Sequence, residues 1–350
     1  MQIGIIGLPQ SGKHTLFSLL TGISIEKKGR VKGEAEVYDP RLEKLSNLYP
    51  EKRKVPAKVH FILFPALSPD NPAITQEVLK GLSEVAVICY VIRAFKNERV
   101  FHIEGSVEPL RDIRRIDDEL LFYDLSFVEL RLERLEKAIK REKKAEYLKE
   151  KEILGYFKSA LEKGEFLSSL TLNSEMRRVI SVYPLLTLKK QIIILNVDEQ
   201  ELGNEQLSEK INREMGREAV QISVKIEQEL FQLESKREQE EFLSALNIKE
   251  PALYKITRVV YQLLGLISFF TIGKEEVRAW SIVRGTRAVE AAGKVHSDMQ
   301  RGFIRAEVIK LGDLLRLGSK QAVQSAGLSS FKGRDYIVED GDIIEFRFSV

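Results

Sequence analysis

The stretch Gly7-Leu8-Pro9-Gln10-Ser11-Gly12-Lys13-His14-Thr15 has the residue types and spacing of a phosphate loop. The glycines let successive backbone N–H groups curl around a polyphosphate, the following helix start adds partial positive charge, and Lys13 reaches the outer phosphates. In the full pattern a Ser or Thr follows the lysine, its hydroxyl ligating Mg²⁺, but this chain has His14 there. Mg²⁺ takes hard oxygen ligands at tight octahedral distances, so a neutral imidazole is a poor substitute. Thr15 does not replace the missing ligand, because one step along a helix turns a side chain by about 100°. Two readings of His14 stand: an imidazolium touching phosphate, or drift at a site that no longer needs the metal. Drift is preferred, since a helix N-terminus pushes histidine toward neutrality.

A second constellation is Asn196-Val197-Asp198-Glu199, which follows the apolar run Gln191-Ile192-Ile193-Ile194-Leu195. Doubly wound folds place ligand-recognising groups at the carboxyl ends of strands. An Asn196 amide and a Glu199 carboxylate there can read the edge of a purine. Ile222-Ser223-Val224-Lys225, at another strand end, can add a backbone amide from Ser223 or Val224. Asn, Asp and Glu are also ordinary turn residues, so the four-residue pattern gains weight only from its position after a buried strand.

These groups need a sheet to position them. Met1–Ile6, Lys58–Phe64, Val85–Ile92, Gln191–Leu195 and Ala219–Ser223 read as strands between helical patterns, the texture of an open, doubly wound α/β sheet. Between them, apolar residues at 121, 125, 128, 132, 135 and 139 step by four and three. A charged break follows at Lys140-Arg141-Glu142-Lys143-Lys144, then a second pattern at Leu148, Leu154, Phe157 and Leu161. This predicts an inserted antiparallel coiled-coil hairpin over 113–177, with the α/β domain in 1–112 and 178–265. Its basic tip, Lys137 to Lys144, is either an ordinary solvated helix end or a contact for RNA phosphate. From 266 to 350, short strand-like runs, a helix near 288–292 and an Asp340-Gly341 turn signal predict a small ubiquitin-sized α+β module.

Composition excludes some classes. Lys and Arg nearly balance Asp and Glu at a formal +3, so overall charge selects no partner. The single Cys89 lies in an apolar run, which rules out an internal disulfide or a cysteine zinc cage. With no apolar run of about 18 residues, the protein is expected to be cytoplasmic, with no membrane association. It is also expected to be a monomer. His60 reads as an edge or satisfied strand residue, and His102 and His296 lack a neighbouring acid and nucleophile. Trp280 reads as a core anchor.

The chain resembles the Obg-like ATPase (YchF) family of P-loop proteins nearly end to end. The similarity rests on Tyr38-Asp39-Pro40-Arg41-Leu42, on His102-Ile103-Glu104-Gly105-Ser106-Val107-Glu108-Pro109-Leu110-Arg111-Asp112-Ile113, on Asn196-Val197-Asp198-Glu199, and on Phe269 to Val350. The last stretch resembles the family's C-terminal TGS domain. The resemblance implies a GTPase-like P-loop domain, a helical insertion and a TGS domain. It also implies binding of ATP or GTP, slow hydrolysis, and association with ribosomes. Contact with ribosome or RNA is expected through the helical tip and the TGS domain. GTP-specific relatives use Asn-Lys-x-Asp. Val197 and Glu199 stand in place of that Lys and Asp, which favours adenine.

Departures from the family pattern all point one way. Where the family carries Asp-x-x-Gly after the strand at 58–64, this chain has Leu63 and Ala66. The glycine-rich segment that follows is reduced to Ser68-Pro69-Asp70-Asn71-Pro72, and Gly22 to Val37 is too short for the usual first switch and its metal-binding Thr. Phosphoryl transfer is mostly positioning and charge neutralisation, so a site that holds Mg²⁺ weakly or not at all keeps little catalytic means. The preferred reading is a nucleotide binder with very slow or no hydrolysis and no catalytic or metal residue of its own. The alternatives are a slow working ATPase or GTPase, and an adaptor for ribosome or RNA that has lost nucleotide.

Overall fold

Ile3, Ile5 and Ile6 are fully buried in an inner strand, because neither side of a parallel strand covered on both faces meets water. The computed structural model describes residues 1–25, 29–68 and 71–349. Pro69 and Asp70 of the shortened segment, residues 26–28 of the Gly22–Val37 stretch, and Val350 lie outside the described residues.

In chain order the first half forms β1 (Gln2–Ile6), α1 (Lys13–Thr21), β2 (Val31–Glu36), α2 (Pro40–Leu48), β3 (Arg53–Val55), β4 (Lys58–Leu63), α3 (Pro72–Leu82), β5 (Val87–Arg93), α4 (Pro109–Arg141), α5 (Ala145–Glu162) and α6 (Ser174–Ile180). Next come β6 (Lys190–Asn196), α7 (Gln206–Met215), β7 (Glu218–Ile222), α8 (Val224–Gln232), α9 (Lys236–Ala245) and α10 (Ala252–Leu263). The C-terminal part adds β8 (Leu266–Ile272), β9 (Glu276–Val283), α11 (Ala288–Val295), α12 (Ser297–Arg301), β10 (Phe303–Lys310), α13 (Leu311–Leu317), α14 (Lys320–Ser325), β11 (Ser330–Lys332) and β12 (Asp342–Phe348).

Two compact units result, one of residues 1–33 with 60–252 and the other of 34–59 with 253–350. The first sheet has the order β2-β4-β1-β5-β6-β7. β1 pairs in parallel with both β4 and β5, β5 with β6, and β6 with β7. Strand order therefore reverses at β1, and the loops leaving β1, β5, β6 and β7 meet at one end of the sheet. That crevice is where doubly wound folds bind ligands.

The helical hairpin departs from the expected boundary. α4 begins at Pro109, a proline in the first helical turn where no N–H is needed, and runs unbroken for 33 residues. Its Ile113, Ile116 and Leu120 belong to the sheet core with Ile88, Tyr90 and Ile193. Val128 and Leu135 instead pack with Leu154, Phe157 and Leu161. The helical period continues through both halves and only the packing partner changes, so the pattern could not mark where one core ended. Buried Asp124 fixes the root of the hairpin, accepting the N–H groups of Leu186 (2.8 Å) and Thr187 (2.7 Å) and the Thr187 hydroxyl (2.6 Å). Nearby, Arg217 donates twice to Asp117, at 2.7 and 2.8 Å. The break between α4 and α5 falls at Glu142–Lys144, with Lys140 and Arg141 in the last turn of α4, where cations suit the helix dipole.

In the second unit the sheet order is β11-β10-β12-β8-β9-β3, with α11 on its apolar face through Ala288, Val289, Ala291 and Ala292. Residues 34–59, expected in the α/β domain, pack here instead. β3 pairs in parallel with β9, Arg41 bonds both Asp39 and Asp340, and the rings of Tyr38 and Tyr254 stack at 4.2 Å. β3 is short and lacks an apolar alternation, so nothing in its composition marks its neighbour. Trp280 sits partly buried against this core, its indole N–H donating to Thr271 at 2.9 Å. No helix among the described residues is long and apolar enough to cross a membrane.

Candidate functional site

The residues from Gly7 to Thr15 form the turn between β1 and α1. Gly7 is buried, and a side chain there would meet the Val91 carbonyl at 2.5 Å, so only glycine lets the loop lie against β5. Gly12 has φ +91°, and a Cβ on it would come within 2.4 Å of the Asn196 amide nitrogen. Gln10 also takes a left-handed conformation, φ +60°, a locally costly geometry that places its peptide in the curl of the loop. Pro9 is half-buried and Gln10 exposed. No side chain caps α1 and no acid occupies its first turn, so its leading N–H groups and positive end are left for an anion.

Lys13 is the most telling group. It is 2% exposed, and no carboxylate among the described residues pairs with it. Its Nζ lies 3.5 Å from His14 Nδ1. Burial pushes the ammonium down to about 8. Burial, with the adjacent Lys13 charge, also lowers His14, leaving it neutral at pH 7 as expected for a histidine at a helix start. A buried cation without a counter-ion is costly, and an anion at the loop would relieve that cost. The Ser11 hydroxyl, also 2% exposed, has no hydrogen-bond partner among the described residues.

At the end of β6, Asn196 is tied to two backbone groups. Its amide donates to the Ser11 carbonyl (3.1 Å), and its carbonyl oxygen accepts the Val224 N–H (3.1 Å). It braces the phosphate loop to the start of α8, using one of the two hydrogens of its amide. The Val224 amide expected to face a base is held by this bond, with Ser223 buried beside it. Val197 is buried and bonds the backbone of Ile222. Glu199 does reach solvent, at the start of a short 3₁₀ turn, Glu199–Glu201.

These elements enclose a crevice of about 940 Å³, with Gly12 and Thr15 at one end and Asn196, Val197, Glu199, Ser223 and Val224 along its wall. It is also lined by Ala94 to Asn97 with Val107 and Pro109, which were not anticipated. The segment carries no signal of its own. It is placed by Ala94 N–H bonding the Asn196 carbonyl (2.8 Å) and by the Asp198 carboxylate accepting the Lys96 N–H (2.9 Å). Arg93 holds the loop by donating to the carbonyls of Phe95, Asn97, Val100 and Phe101. His102 also corrects the reading that no acid neighbours it. It is buried, its Nε2 2.9 Å from Asp112 Oδ2, while its Nδ1 accepts the Glu104 N–H.

His14 and Leu63 stand where the family pattern has oxygen ligands for magnesium, and no group of three or more His, Cys, Asp or Glu residues placed to hold a metal occurs among the described residues.

Parallel strands β4, β1, β5, β6 and β7 with the order reversing at β1, and a glycine-bounded loop and a buried lysine opening α1, make the P-loop NTPase fold. Comparison with known proteins agrees. Residues 266–349 match a family model described as "Protein of unknown function (DUF933)", the YchF GTPase C-terminal region. "Ribosome-binding ATPase YchF" of Bacillus subtilis (strain 168) is 36% identical, the match covering 99% of each chain. The protein of that name from Haemophilus influenzae is 34% identical with the same coverage. The solved structure of the Schizosaccharomyces pombe YchF GTPase superposes with a TM-score of 0.84 at 28% identity, covering 99% of this chain and 97% of that one. The chain belongs to the YchF family of Obg-like P-loop proteins.

Proposed function

We propose that the chain binds a purine nucleotide, ATP or GTP, through the loop from Gly7 to Thr15 without help from magnesium, hydrolyses it negligibly, and associates with the ribosome. The observation that carries the reading is Lys13, an ammonium buried at a helix start with no carboxylate beside it. The loop amides, Lys13 and the end of α1 would hold the phosphates, and the crevice bounded by Val197, Glu199 and Ala94 to Asn97 would take the base and sugar. Glu199 in place of the guanine-reading Asp favours adenine.

Hydrolysis is where this chain parts from relatives named as ATPases and a GTPase. Positions 14, 63 and 66 hold imidazole, isobutyl and methyl groups, which neither ligate a hard cation nor neutralise developing charge. Ribosome association is supported by the names of the relatives and by the exposed basic turn at Lys140, Arg141, Lys143 and Lys144.

Calorimetric titration of the full chain with ATP, GTP and their diphosphates, with and without Mg²⁺, tests the nucleotide reading. Binding that is indifferent to Mg²⁺ is expected. A strong Mg²⁺ requirement would favour a working ATPase, and no heat at millimolar nucleotide would favour an adaptor without nucleotide.

A further inference from the structure

We infer that the segment after β4 is stapled in one arrangement, so the site takes nucleoside diphosphates and triphosphates alike and does not report the third phosphate. The inference rests on the nucleotide-binding reading above.

In P-loop proteins that switch, the stretch leaving this strand adopts two arrangements and a third phosphate selects between them. Here it is held at three places. Phe64 N–H extends the ladder by donating to the Ile5 carbonyl at 3.0 Å. Leu67 N–H donates to the carbonyl of Gly7, the first residue of the phosphate loop, at 3.2 Å. Beyond it, Thr75 Oγ1 on α3 donates to the Ser68 carbonyl at 3.2 Å and accepts the Ser68 N–H at 3.4 Å.

Apolar packing reinforces these bonds. Leu63, Phe64 and Leu67 are each at most 2% exposed, and Phe64 and Leu67 share a core with Ile6, Leu8 and Val78. The Phe64 ring lies where α3 and β1 carry glycines: a Cβ on Gly81 would meet it at 2.6 Å, and one on Gly4 at 3.1 Å. Any second arrangement must withdraw that ring from a slot built for it.

Chemistry at the segment narrows what a third phosphate can pull on. Pro65 has no N–H, the N–H groups of Phe64 and Leu67 are already bonded, and Leu63, Phe64, Ala66 and Leu67 carry no polar side-chain atom, which leaves the Ala66 N–H. A ligand moves an equilibrium only by its differential affinity for the two states. Inverting a two-state equilibrium fully needs a difference of about 10⁴-fold, whereas typical couplings are about 5- to 150-fold. A segment buried on its apolar side and bonded at both ends starts too far toward one state to be inverted by one phosphate.

Hydrogen–deuterium exchange on the full chain, free and with ADP, ATP or a non-hydrolysable ATP analogue, tests this together with the affinities. Both nucleotides should protect residues 7–15 alike, leave exchange at 63–68 and 71–82 the same in either complex, and bind within about tenfold of each other. In Leu67→Ala, exchange at 63–68 should accelerate in every state. Triphosphate-specific protection at 63–68, a preference above about tenfold, or no acceleration in Leu67→Ala would overturn the staple while leaving nucleotide binding intact. No protection of 7–15 by either nucleotide would overturn the binding reading and this inference with it.

Discussion

Asn196 donates its side-chain amide to the carbonyl of Ser11, 185 residues earlier, closing the phosphate loop from behind. The same side chain accepts the Val224 N–H, so one buried residue joins three strand ends of the sheet. Replacing it by Ala leaves a buried carbonyl and a buried N–H unpaired. Asn196→Ala should cost roughly 1–3 kcal/mol in urea unfolding and weaken nucleotide binding at least tenfold. An unchanged unfolding midpoint would show the brace to be idle.

Gly12 is constrained twice, by its left-handed backbone and by the Asn196 amide over its α-carbon. Gly12→Ala should remove nucleotide binding while the chain stays folded, because the clash is met by displacing Asn196 and the loop. Circular dichroism checks the fold and equilibrium titration checks the loss. Retention of wild-type affinity would mean the loop is not the phosphate site.

Lys13 sets the pH dependence of both binding and stability. In the free protein its ammonium titrates at about 8, and an anion in the loop raises that value. Binding thus takes up a proton above pH 8. Affinity should be level below pH 8 and fall by up to about tenfold per pH unit above it. His14 is held below its ordinary value and contributes no such step near neutrality. An affinity flat from pH 7 to 10 would contradict the assignment.

The stability side has the opposite consequence. The unfolded chain keeps the Lys13 proton up to its ordinary 10.5, whereas the folded chain gives it up at about 8. The buried ammonium therefore opposes folding below pH 8, and the opposition fades as pH rises from 8 to 10.5. Lys13→Met should raise stability at pH 7 by roughly 1–3 kcal/mol and abolish nucleotide binding. Urea titrations at pH 7 and pH 10 measure the first, with the difference between the proteins expected to shrink at the higher pH.

Charge reversal at Lys140, Arg141, Lys143 and Lys144, in the exposed turn joining α4 to α5, should weaken co-sedimentation with ribosomes and flatten its salt dependence. The same variant should bind nucleotide normally, since the turn contributes nothing to the crevice. Unaltered sedimentation would remove the turn from the ribosome contact.

The P-loop strand, turn and helix, the strands of the α/β sheet and the paired helices were legible because their signals are local: glycine spacing, apolar runs and a helical period. What those patterns could not carry was partnership. Asn196 shows nothing in sequence of its bonds to Ser11 and Val224. His102 shows no acid until α4 turns Asp112 toward it at 2.9 Å. The helical period of α4 continues while its neighbours change from the sheet to α5, and β3 gives no hint that it pairs with β9. The sequence by itself determined that a cradle of amides and a lysine exists and that His14 and Leu63 stand where the family pattern has oxygen ligands, since both follow from residue types at fixed spacing. Only the tertiary structure decided which groups remain free to meet a ligand. A hydrogen bond between residues far apart in the chain consumes a donor and an acceptor without leaving any mark on the residues between them.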